Sequence, residues 1–419
     1  MALASELNLP LLDFTDAETR GERYQAAMTA VRGHDDWLAA QPFGFVTLDR
    51  ESGEFFLRSR AAEFPGMTIA QMFEITEGPL HEEITKNIIT INGGDHARLR
   101  SLVGPALAPR RVDQYRPAMR GFAEALLDGT GPAATDMSRH ARPVPEPTVE
   151  FIADFAKPYP AQVIAHVMGA PVADAPYLHK WSNVIQRQFD PPSLLAERPE
   201  IEESVAECYA YIDALIDTRR SRPGEDLITD LIAAEEAGDK LGQDELCNLV
   251  LNILVGGVDT SQSQLAHAVR LLADAPEQWS ALRADPQGLA GAAIEEALRY
   301  EPITPFTARI LIEEVEFRGV VFPAGTIVMV SAWHANRDGV GGGDSFDITA
   351  ERDRARVLTF GAGIHYCVGA NVARAEMQEA MIVLAEGVSS LRPAGPAEFG
   401  TPSGIYGLER LPLVLTFAR

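Results

Sequence analysis

Apolar side chains recur at intervals of three and four residues along several long stretches of the chain, with polar residues between them. This spacing places the apolar residues on one face of an α-helix. Helices are therefore predicted for 117–127, 201–219, 244–273 and 289–300. Asp244 is predicted to be the N-cap of the third helix, because its carboxylate can accept hydrogen bonds from free backbone N–H groups.

Strand signals are fewer and shorter. Strands are predicted at 44–49, 53–57, 308–312, 315–318, 326–330 and 411–417. The first two are expected to pair as a hairpin, and the next three surround a turn at 322–325 that contains Pro and Gly. We therefore expect a mainly α fold with small β-sheets.

The chain shows no internal repeat and no long low-complexity linker, so a single domain over 1–419 is expected. The predicted elements divide it into a helix-rich core at about 95–300 and 368–390 and β-rich parts at about 44–60, 308–332 and 400–419.

Composition and charge narrow the class of protein. Hydrophobic residues make up 46% of the chain, which allows a large buried core. The 36 Lys and Arg residues against 60 Asp and Glu give a net charge of −24, which disfavours nucleic acid and anionic membranes as partners. No apolar run approaches the roughly 18 residues of a membrane span, and the first ten residues lack the pattern of a signal peptide. We expect a soluble, cytoplasmic protein.

The three cysteines, Cys208, Cys247 and Cys367, are too few and too scattered for a disulfide framework and fit a reducing cytosol. Cys367 lies in the sequence Phe-Gly-Ala-Gly-Ile-His-Tyr-Cys-Val-Gly at 360–369, before a predicted helix at 370–386. The glycines at 361, 363 and 369 predict a tight loop that presents the cysteine at the start of this helix.

The helix dipole and free N–H groups at that position would stabilise a thiolate, which is the form that binds haem iron. One alternative is an ordinary buried cysteine beside a glycine-rich turn. Another is a zinc site that includes His365, although no further Cys or His lies nearby at a matching spacing.

A second candidate lies inside the longest predicted helix, in the sequence Leu-Val-Gly-Gly-Val-Asp-Thr-Ser at 254–261. Two adjacent glycines in a helix cost about 2 kcal/mol relative to alanine, so a compensating role is expected. A local opening of the helix over a flat cofactor would make room for O2 and water, with Asp259 and Thr260 as a carboxylate–hydroxyl pair beside it. In the alternative, the helix is kinked and Thr260 bonds to the Gly256 carbonyl. Both can hold.

Two groups of charged residues are also candidates. Glu296 and Arg299 lie three residues apart on one face of a helix whose apolar flanks predict burial. Arg98, Arg100, Arg110 and Arg111 concentrate positive charge in an acidic chain. That cluster is either a solvated helix face or a basic patch that docks an acidic electron donor.

The cysteine loop resembles the haem-binding signature of the cytochrome P-450 family, and four further segments agree with that family from about residue 90 to the end. The resemblance implies haem b with Cys367 as the axial ligand, Phe360 and Gly361 beside the haem, and O2 as co-substrate. It implies that Thr260 hydrogen-bonds iron-bound dioxygen and that Asp259 relays protons. Glu296 and Arg299, completed by Arg352, would brace the core.

The same resemblance implies further contacts and partners. The haem propionates would be held by His96, Arg100, Arg309 and His365. The substrate pocket would be lined by Ile88, Ile89, Val255, Gly256, Ile303, Phe306 and Tyr406. These residues are mostly apolar, so an apolar small-molecule substrate is expected.

The sequence contains no dinucleotide-binding fingerprint, flavin domain or cysteine-rich cluster segment, so NAD(P)H is expected to act indirectly, through a ferredoxin reductase and a ferredoxin. The expected function is a haem-thiolate monooxygenase that inserts one oxygen atom of O2 into its substrate. The alternatives are a peroxide-driven peroxygenase, against which the Asp259–Thr260 pair argues, and a haem-thiolate binding or sensor protein without turnover.

Overall fold

The computed structural model describes residues 2–14, 16, 18–32, 37–130, 148–236, 241–352 and 357–418. In this part of the chain the α-helices are α1 (Glu22–Arg32), α2 (Arg50–Arg58), α3 (Gly66–Met72), α4 (Pro79–Lys86), α5 (Gly93–Ala106), α6 (Pro109–Asp128), α7 (Pro158–Met168), α8 (Ala175–Gln186), α9 (Pro191–Ser221), α10 (Leu227–Glu236), α11 (Gln243–Asp274), α12 (Pro276–Ala284), α13 (Pro286–Tyr300), α14 (Ala332–Ala335) and α15 (Ala370–Gly387).

The strands are short. They are β1 (Ala2–Leu3), β2 (Leu38–Gln41), β3 (Gly44–Thr47), β4 (Ala62–Glu63), β5 (Thr148–Glu150), β6 (Phe306–Leu311), β7 (Val315–Phe317), β8 (Val320–Phe322), β9 (Ile327–Ser331), β10 (Val388–Pro393), β11 (Glu398–Phe399), β12 (Leu408–Arg410) and β13 (Pro412–Phe417). The largest sheet has the order β2-β3-β9-β6-β4, and smaller sheets are β1-β8-β7, β10-β13-β5 and β11-β12. The mainly α fold with small sheets is thus confirmed.

The predicted helices are present, and most extend beyond the periodic apolar segments. Helices α6, α9 and α13 each begin at a proline, which lacks the N–H that a first turn would leave unpaired. The predicted cap at Asp244 is wrong. Gly242 is the N-cap of α11, and the Glu245 carboxylate accepts its N–H at 2.9 Å, so Asp244 lies within the first turn.

The predicted hairpin is also wrong in its second half. Residues 50–58 form α2, because the Asp49 carboxylate accepts the Ser52 N–H at 2.8 Å and starts a helix. This helix buries Phe56 and Leu57 beneath the sheet. Strand β3 instead pairs with β2 on one side and with β9 on the other. The strands predicted at 308–312, 315–318, 326–330 and 411–417 correspond to β6, β7, β9 and β13.

Helix α11, with 32 residues, runs through the helical core, and most of its side chains are buried. It packs against α7, α8, α9 and α13, and the largest apolar cluster of the protein surrounds it. Two smaller apolar clusters lie beside the five-stranded sheet. Among the described helices, none is long and apolar enough to cross a bilayer.

Candidate active site

The loop before α15 holds Cys367 in a fixed position. The Phe360 carbonyl accepts the Cys367 N–H at 2.9 Å. Gly361 and Gly363 adopt left-handed φ values of 69° and 73°, as predicted, and a Cβ at Gly363 would lie 2.5 Å from the Leu57 carbonyl oxygen. Gly369 does not need this freedom, since its φ is −83° and it is the N-cap of α15.

Opposing effects act on the Cys367 thiol. Although the side chain is exposed to the cavity, desolvation by the surrounding protein raises its pKa, while the N–H groups of Gly369 and Ala370 and the charges of Arg100 and Arg374 oppose that rise. The N–H groups at the helix start act in the direction that the sequence predicted, but burial outweighs them and the thiol pKa is raised overall. Because an iron cation bound to the sulfur would favour the thiolate further, this environment suits a metal-bound cysteine.

The other cysteines lie elsewhere. Cys208 is buried in α9, and Cys247 is buried in α11, where burial raises its thiol pKa to about 12. Within the described residues no group of three His, Cys, Asp or Glu side chains could hold a metal ion, so the zinc alternative gains no support.

Cys367 opens onto an internal cavity of about 560 Å³. One wall is the cysteine loop, including Phe360 and Gly361, and another is the middle of α11. Six of the residues predicted for the substrate pocket line it: Ile88, Ile89, Val255, Gly256, Ile303 and Phe306. The cavity surface is mainly apolar, and Phe14, stacked on Phe306 with ring centroids 4.1 Å apart, adds an aromatic residue from the N-terminal segment.

Tyr406, the seventh predicted pocket residue, lies outside the cavity and is a correction to the prediction. Its side chain is fully buried, stacks on Phe399 and contacts Tyr24, and its hydroxyl accepts the Gly21 N–H at 3.0 Å. This hydrogen bond satisfies the phenol in the core, while the preceding Gly404 and Ile405 face the cavity.

Gly256 and Gly257 of α11 lack a side chain for different structural reasons. A Cβ at Gly256 would meet no atom within 4 Å, so its missing side chain leaves open space on the cavity side. A Cβ at Gly257 would lie 2.9 Å from Ile164 Cδ1, so this glycine allows α7 to approach closely. The Thr260 hydroxyl lines the cavity and donates to the Gly256 carbonyl at 2.5 Å, as the alternative interpretation proposed.

Asp259 is not beside Thr260 in the cavity, which corrects the predicted carboxylate–hydroxyl pair. Its carboxylate faces α8, where Asn183 Nδ2 donates to Oδ1 at 3.2 Å. Burial raises the pKa of this carboxyl. Adjacent residues on a helix point about 100° apart, and here Thr260 faces the cavity while Asp259 faces α8.

Sequence reasoning missed a carboxyl that does line the cavity. Glu376, on the buried face of α15, accepts a short hydrogen bond from the Ser261 hydroxyl, and burial raises its pKa to about 8. The only signal in the sequence is an acidic residue on the inward, apolar face of the helix that follows the cysteine.

Four cationic or hydrogen-bonding side chains meet at one side of the cavity: His96, Arg100, Arg309 and His365. The imidazole rings of His96 and His365 are 4.5 Å apart. Arg309 is almost fully buried and donates to the Ala308 carbonyl at 2.8 Å, and burial alone lowers its pKa to about 10. Arg100 donates to the Tyr366 carbonyl at 2.7 Å.

Among the described residues, no carboxylate pairs with Arg100 or Arg309. His365 Nδ1 is buried without a hydrogen-bond partner, and burial together with the neighbouring His96 and arginines lowers the His365 pKa to about 3. Unpaired buried cations are costly, so this group fits an anionic ligand such as the two haem propionates.

Glu296, Arg299 and Arg352 form a buried ionic network. Arg299 donates from Nε and Nη2 to the Glu296 carboxylate, both at 2.8 Å, and Arg352 Nη2 donates to the same carboxylate at 3.1 Å. Arg299 also donates to the carbonyls of Gly343 and Ser345. The network therefore ties α13 to the segment before the cysteine loop, and Arg352 occupies the third position that the resemblance implied.

The basic cluster is not a free patch. Arg98 pairs with Glu245, Arg111 lies 3.1 Å from Asp230, and Arg100 turns inward to the cavity. Of these four arginines only Arg110 is exposed. The cluster thus gives little support to the docking hypothesis, because its charges are largely used within the protein.

Helix α11 is continuous from Gln243 to Asp274, so the predicted local opening of the helix is absent. A cysteine that faces a large apolar cavity, opposite Gly256 and Thr260 of this helix, suits the class of haem-thiolate enzymes. Comparisons with known proteins agree. The family model described as "Cytochrome P450" matches residues 188–385. Luteothin monooxygenase of Streptomyces thioluteus is 31% identical over 412 residues, or 97% of this chain and 96% of the relative.

Mycinamicin IV hydroxylase/epoxidase of Micromonospora griseorubida is 34% identical and aligned over 74% of each chain. The crystal structure of CalO2 is similar with a TM-score of 0.84 and 27% identity, covering 96% of this chain and 98% of that one. The chain belongs to the cytochrome P450 family, whose members are haem-dependent monooxygenases that use O2.

Proposed function

We propose that this protein is a haem-thiolate monooxygenase that inserts one atom of O2 into an apolar small molecule, with electrons delivered by a ferredoxin and its reductase. The observation that carries the proposal is the Cys367 side chain, held at the start of α15 and open to the apolar cavity. When bound, haem supplies the binding and activation of O2.

The side chains of this chain have separate roles in the proposal. Cys367 would hold the haem iron, and His96, Arg100, Arg309 and His365 would hold the propionates, since neither arginine has a carboxylate partner among the described residues and His365 Nδ1 is unpaired. The Thr260 hydroxyl uses its proton on the Gly256 carbonyl, so its oxygen lone pairs remain available as an acceptor in the cavity.

Asp259 is proposed to relay protons. Asn183 connects it toward the surface, since Arg187 donates to Asn183 Oδ1 at 3.0 Å and also pairs with Glu197. To deliver a proton to Thr260, the Asp259 side chain has to leave Asn183 or act through a water molecule. Asn183 itself transfers no proton, and its role in the proposal is to hold the Asp259 carboxylate in place.

The substrate is proposed to be an apolar organic molecule with few polar groups. The cavity wall consists mainly of aliphatic and aromatic residues from α11, the segment 87–91, β6 and the N-terminal segment. Water leaves such a surface favourably when an apolar ligand enters, so shape and apolar contact dominate recognition. The relatives named for luteothin and mycinamicin IV are consistent with organic substrates.

The absorption spectrum of the reduced, carbon-monoxide-bound protein tests this assignment. The wild type should show the red-shifted Soret band of thiolate-ligated iron, and Cys367→Ala should lose it. Cys247→Ala is the matched control and should keep it, because that thiol lies away from the cavity. A normal spectrum in the Cys367 variant would overturn the proposal.

Turnover assays separate the alternatives. A monooxygenase should oxidise apolar test compounds with NADPH and a surrogate ferredoxin–reductase pair, whereas a peroxygenase should need only hydrogen peroxide. Neither system should support turnover by a sensor protein. Peroxide-driven turnover without any ferredoxin-driven turnover would contradict the proposed electron source.

A further inference from the structure

The segment 87–91 between α4 and α5 places two aliphatic side chains, Ile88 and Ile89, in the cavity wall. It is an irregular connection, so its backbone is not fixed by a helix or strand ladder. The position of the two isoleucines must therefore come from other contacts.

The Asn87 carbonyl accepts the N–H groups of Thr90 and Ile91 at 2.9 and 3.1 Å, which closes a turn, and two asparagine side chains bind the N–H groups within it. Asn252, on α11, accepts the Ile88 N–H on its Oδ1 at 3.0 Å, and Asn87 accepts the Ile89 N–H on its own Oδ1 at 3.0 Å. Successive backbone N–H groups of the segment are thus bound by side-chain carbonyls. One bond leads to α11, the helix that carries Gly256 and Thr260.

A buried carboxyl sets the orientation of both amides. Glu83, on α4, is 1% exposed, and its Oε1 accepts from Asn87 Nδ2 at 2.5 Å and from Asn252 Nδ2 at 3.1 Å. Because the carboxyl binds the NH2 end of each amide, the carbonyl end of each has to point toward the segment. Glu83 does not line the cavity, and it reaches the segment through the two asparagines.

We propose that Glu83, Asn87 and Asn252 form a latch that positions Ile88 and Ile89 and so determines which ligands the cavity accepts. Glu83 is a positioning residue outside the cavity wall, whereas Asn87 and Asn252 also line the cavity. The role of all three in selectivity rests on the proposed function. The latch joins α4 to α11 through polar bonds inside an apolar region, where hydrogen bonds are strong and an unmade bond is costly. Its loss should free the segment without disturbing Cys367.

Hydrogen exchange of the haem-loaded protein, resolved to single amides, tests the latch itself. Asn252→Ala should speed exchange at Ile88 about fivefold, the effect of losing one hydrogen bond, and Glu83→Ala should speed it at both Ile88 and Ile89. Asn248→Ala is the matched control. Asn248 lies one turn earlier on α11 and donates to the Tyr209 hydroxyl at 2.6 Å, without a hydrogen bond to the segment. Unchanged exchange at Ile88 in Asn252→Ala would overturn the latch, even if Glu83→Ala fails to fold.

Ligand binding tests the role in selectivity. Imidazole and 4-phenylimidazole, titrated by the shift of the Soret band, differ by a phenyl group that has to fit beside the cavity wall. Glu83→Ala, which leaves every residue of the cavity wall in place, should change the ratio of their dissociation constants at least about fivefold, as should Asn252→Ala, and Asn248→Ala should leave it unchanged. Faster exchange with an unchanged ratio would refute the selectivity role. A protein without a thiolate spectrum would instead refute the proposed function, and exchange at Ile88 would still report on the latch.

Discussion

The stability contributed by the buried network around Glu296 can be tested by comparison with the adjacent residue, Glu295. Glu296 and Glu295 are adjacent on α13 and both bind arginine, but Glu296 is 6% exposed at its side chain and Glu295 is 43% exposed. Glu296→Gln keeps the side-chain volume and removes the charge that faces Arg299 and Arg352. Glu295→Gln does the same to the partner of Arg374.

The expected difference follows from burial. Glu296 accepts four hydrogen bonds, from Arg299 Nε and Nη2, from Arg352 Nη2 and from the Asp347 N–H. Removing the charge leaves two guanidinium groups without an anionic partner, so Glu296→Gln should lower the free energy of unfolding by about 3–5 kcal/mol. The exposed pair is screened by water, so Glu295→Gln should cost less than about 1 kcal/mol.

Equilibrium unfolding in urea, followed by tryptophan fluorescence on both haem-loaded variants, gives the comparison. Equal bound haem has to be verified first, because a ligand that leaves on unfolding adds to the apparent stability. If the two variants differ by less than about 1 kcal/mol, the argument from burial is wrong.

Three further outcomes are expected. Arg309→Gln should weaken haem retention about tenfold or more, since it removes an unpaired buried cation, and haem transfer to an excess of apomyoglobin measures this against Arg110→Gln, an exposed control. Burial raises the Glu83 pKa from 4.5 to about 7, so the folded state binds more protons than the unfolded state in that range and stability should fall by about 3 kcal/mol as the pH rises from about 4.5 to about 7. Glu83→Gln should remove this part of the fall in urea titrations across that range, and an unchanged pH dependence would count against the buried carboxyl. Tyr406→Phe should cost about 1 kcal/mol in unfolding and leave the Soret-shift titration with 4-phenylimidazole unchanged, and altered ligand binding would contradict its place outside the cavity.

The predictions that succeeded depend on local sequence. The backbone of the cysteine loop has positive φ angles at Gly361 and Gly363, so the two glycines alone predict a tight loop there. The long apolar periodicity of α11 likewise indicated a buried helix through the core. Glu296 and Arg299 meet because residues three apart share a helix face, whatever else packs around them.

The predictions that failed depend on which neighbour a side chain meets. The aromatic pair at 55 and 56 suits a strand as well as a helix, and the Asp49 cap decides for the helix. The Asp259 side chain turns toward α8 because Asn183 donates a hydrogen bond to it. The Tyr406 side chain is held in the core because its hydroxyl accepts the N–H of Gly21, almost four hundred residues earlier. Two arginines of the cluster, Arg98 and Arg111, form ion pairs with carboxylates of α11 and α10 that are distant in the sequence. None of these partners can be read from spacing.

The inward-facing cations have a consequence for how this enzyme is made. A chain with a net charge of −24 repels anions in solution, yet Arg100 and Arg309 concentrate positive charge in its interior. Until a dianionic porphyrin neutralises them, these arginines oppose closure of the polypeptide around the cavity. A bound porphyrin would then favour the closed protein, and the heat resistance of a preparation should rise with the haem supplied during synthesis.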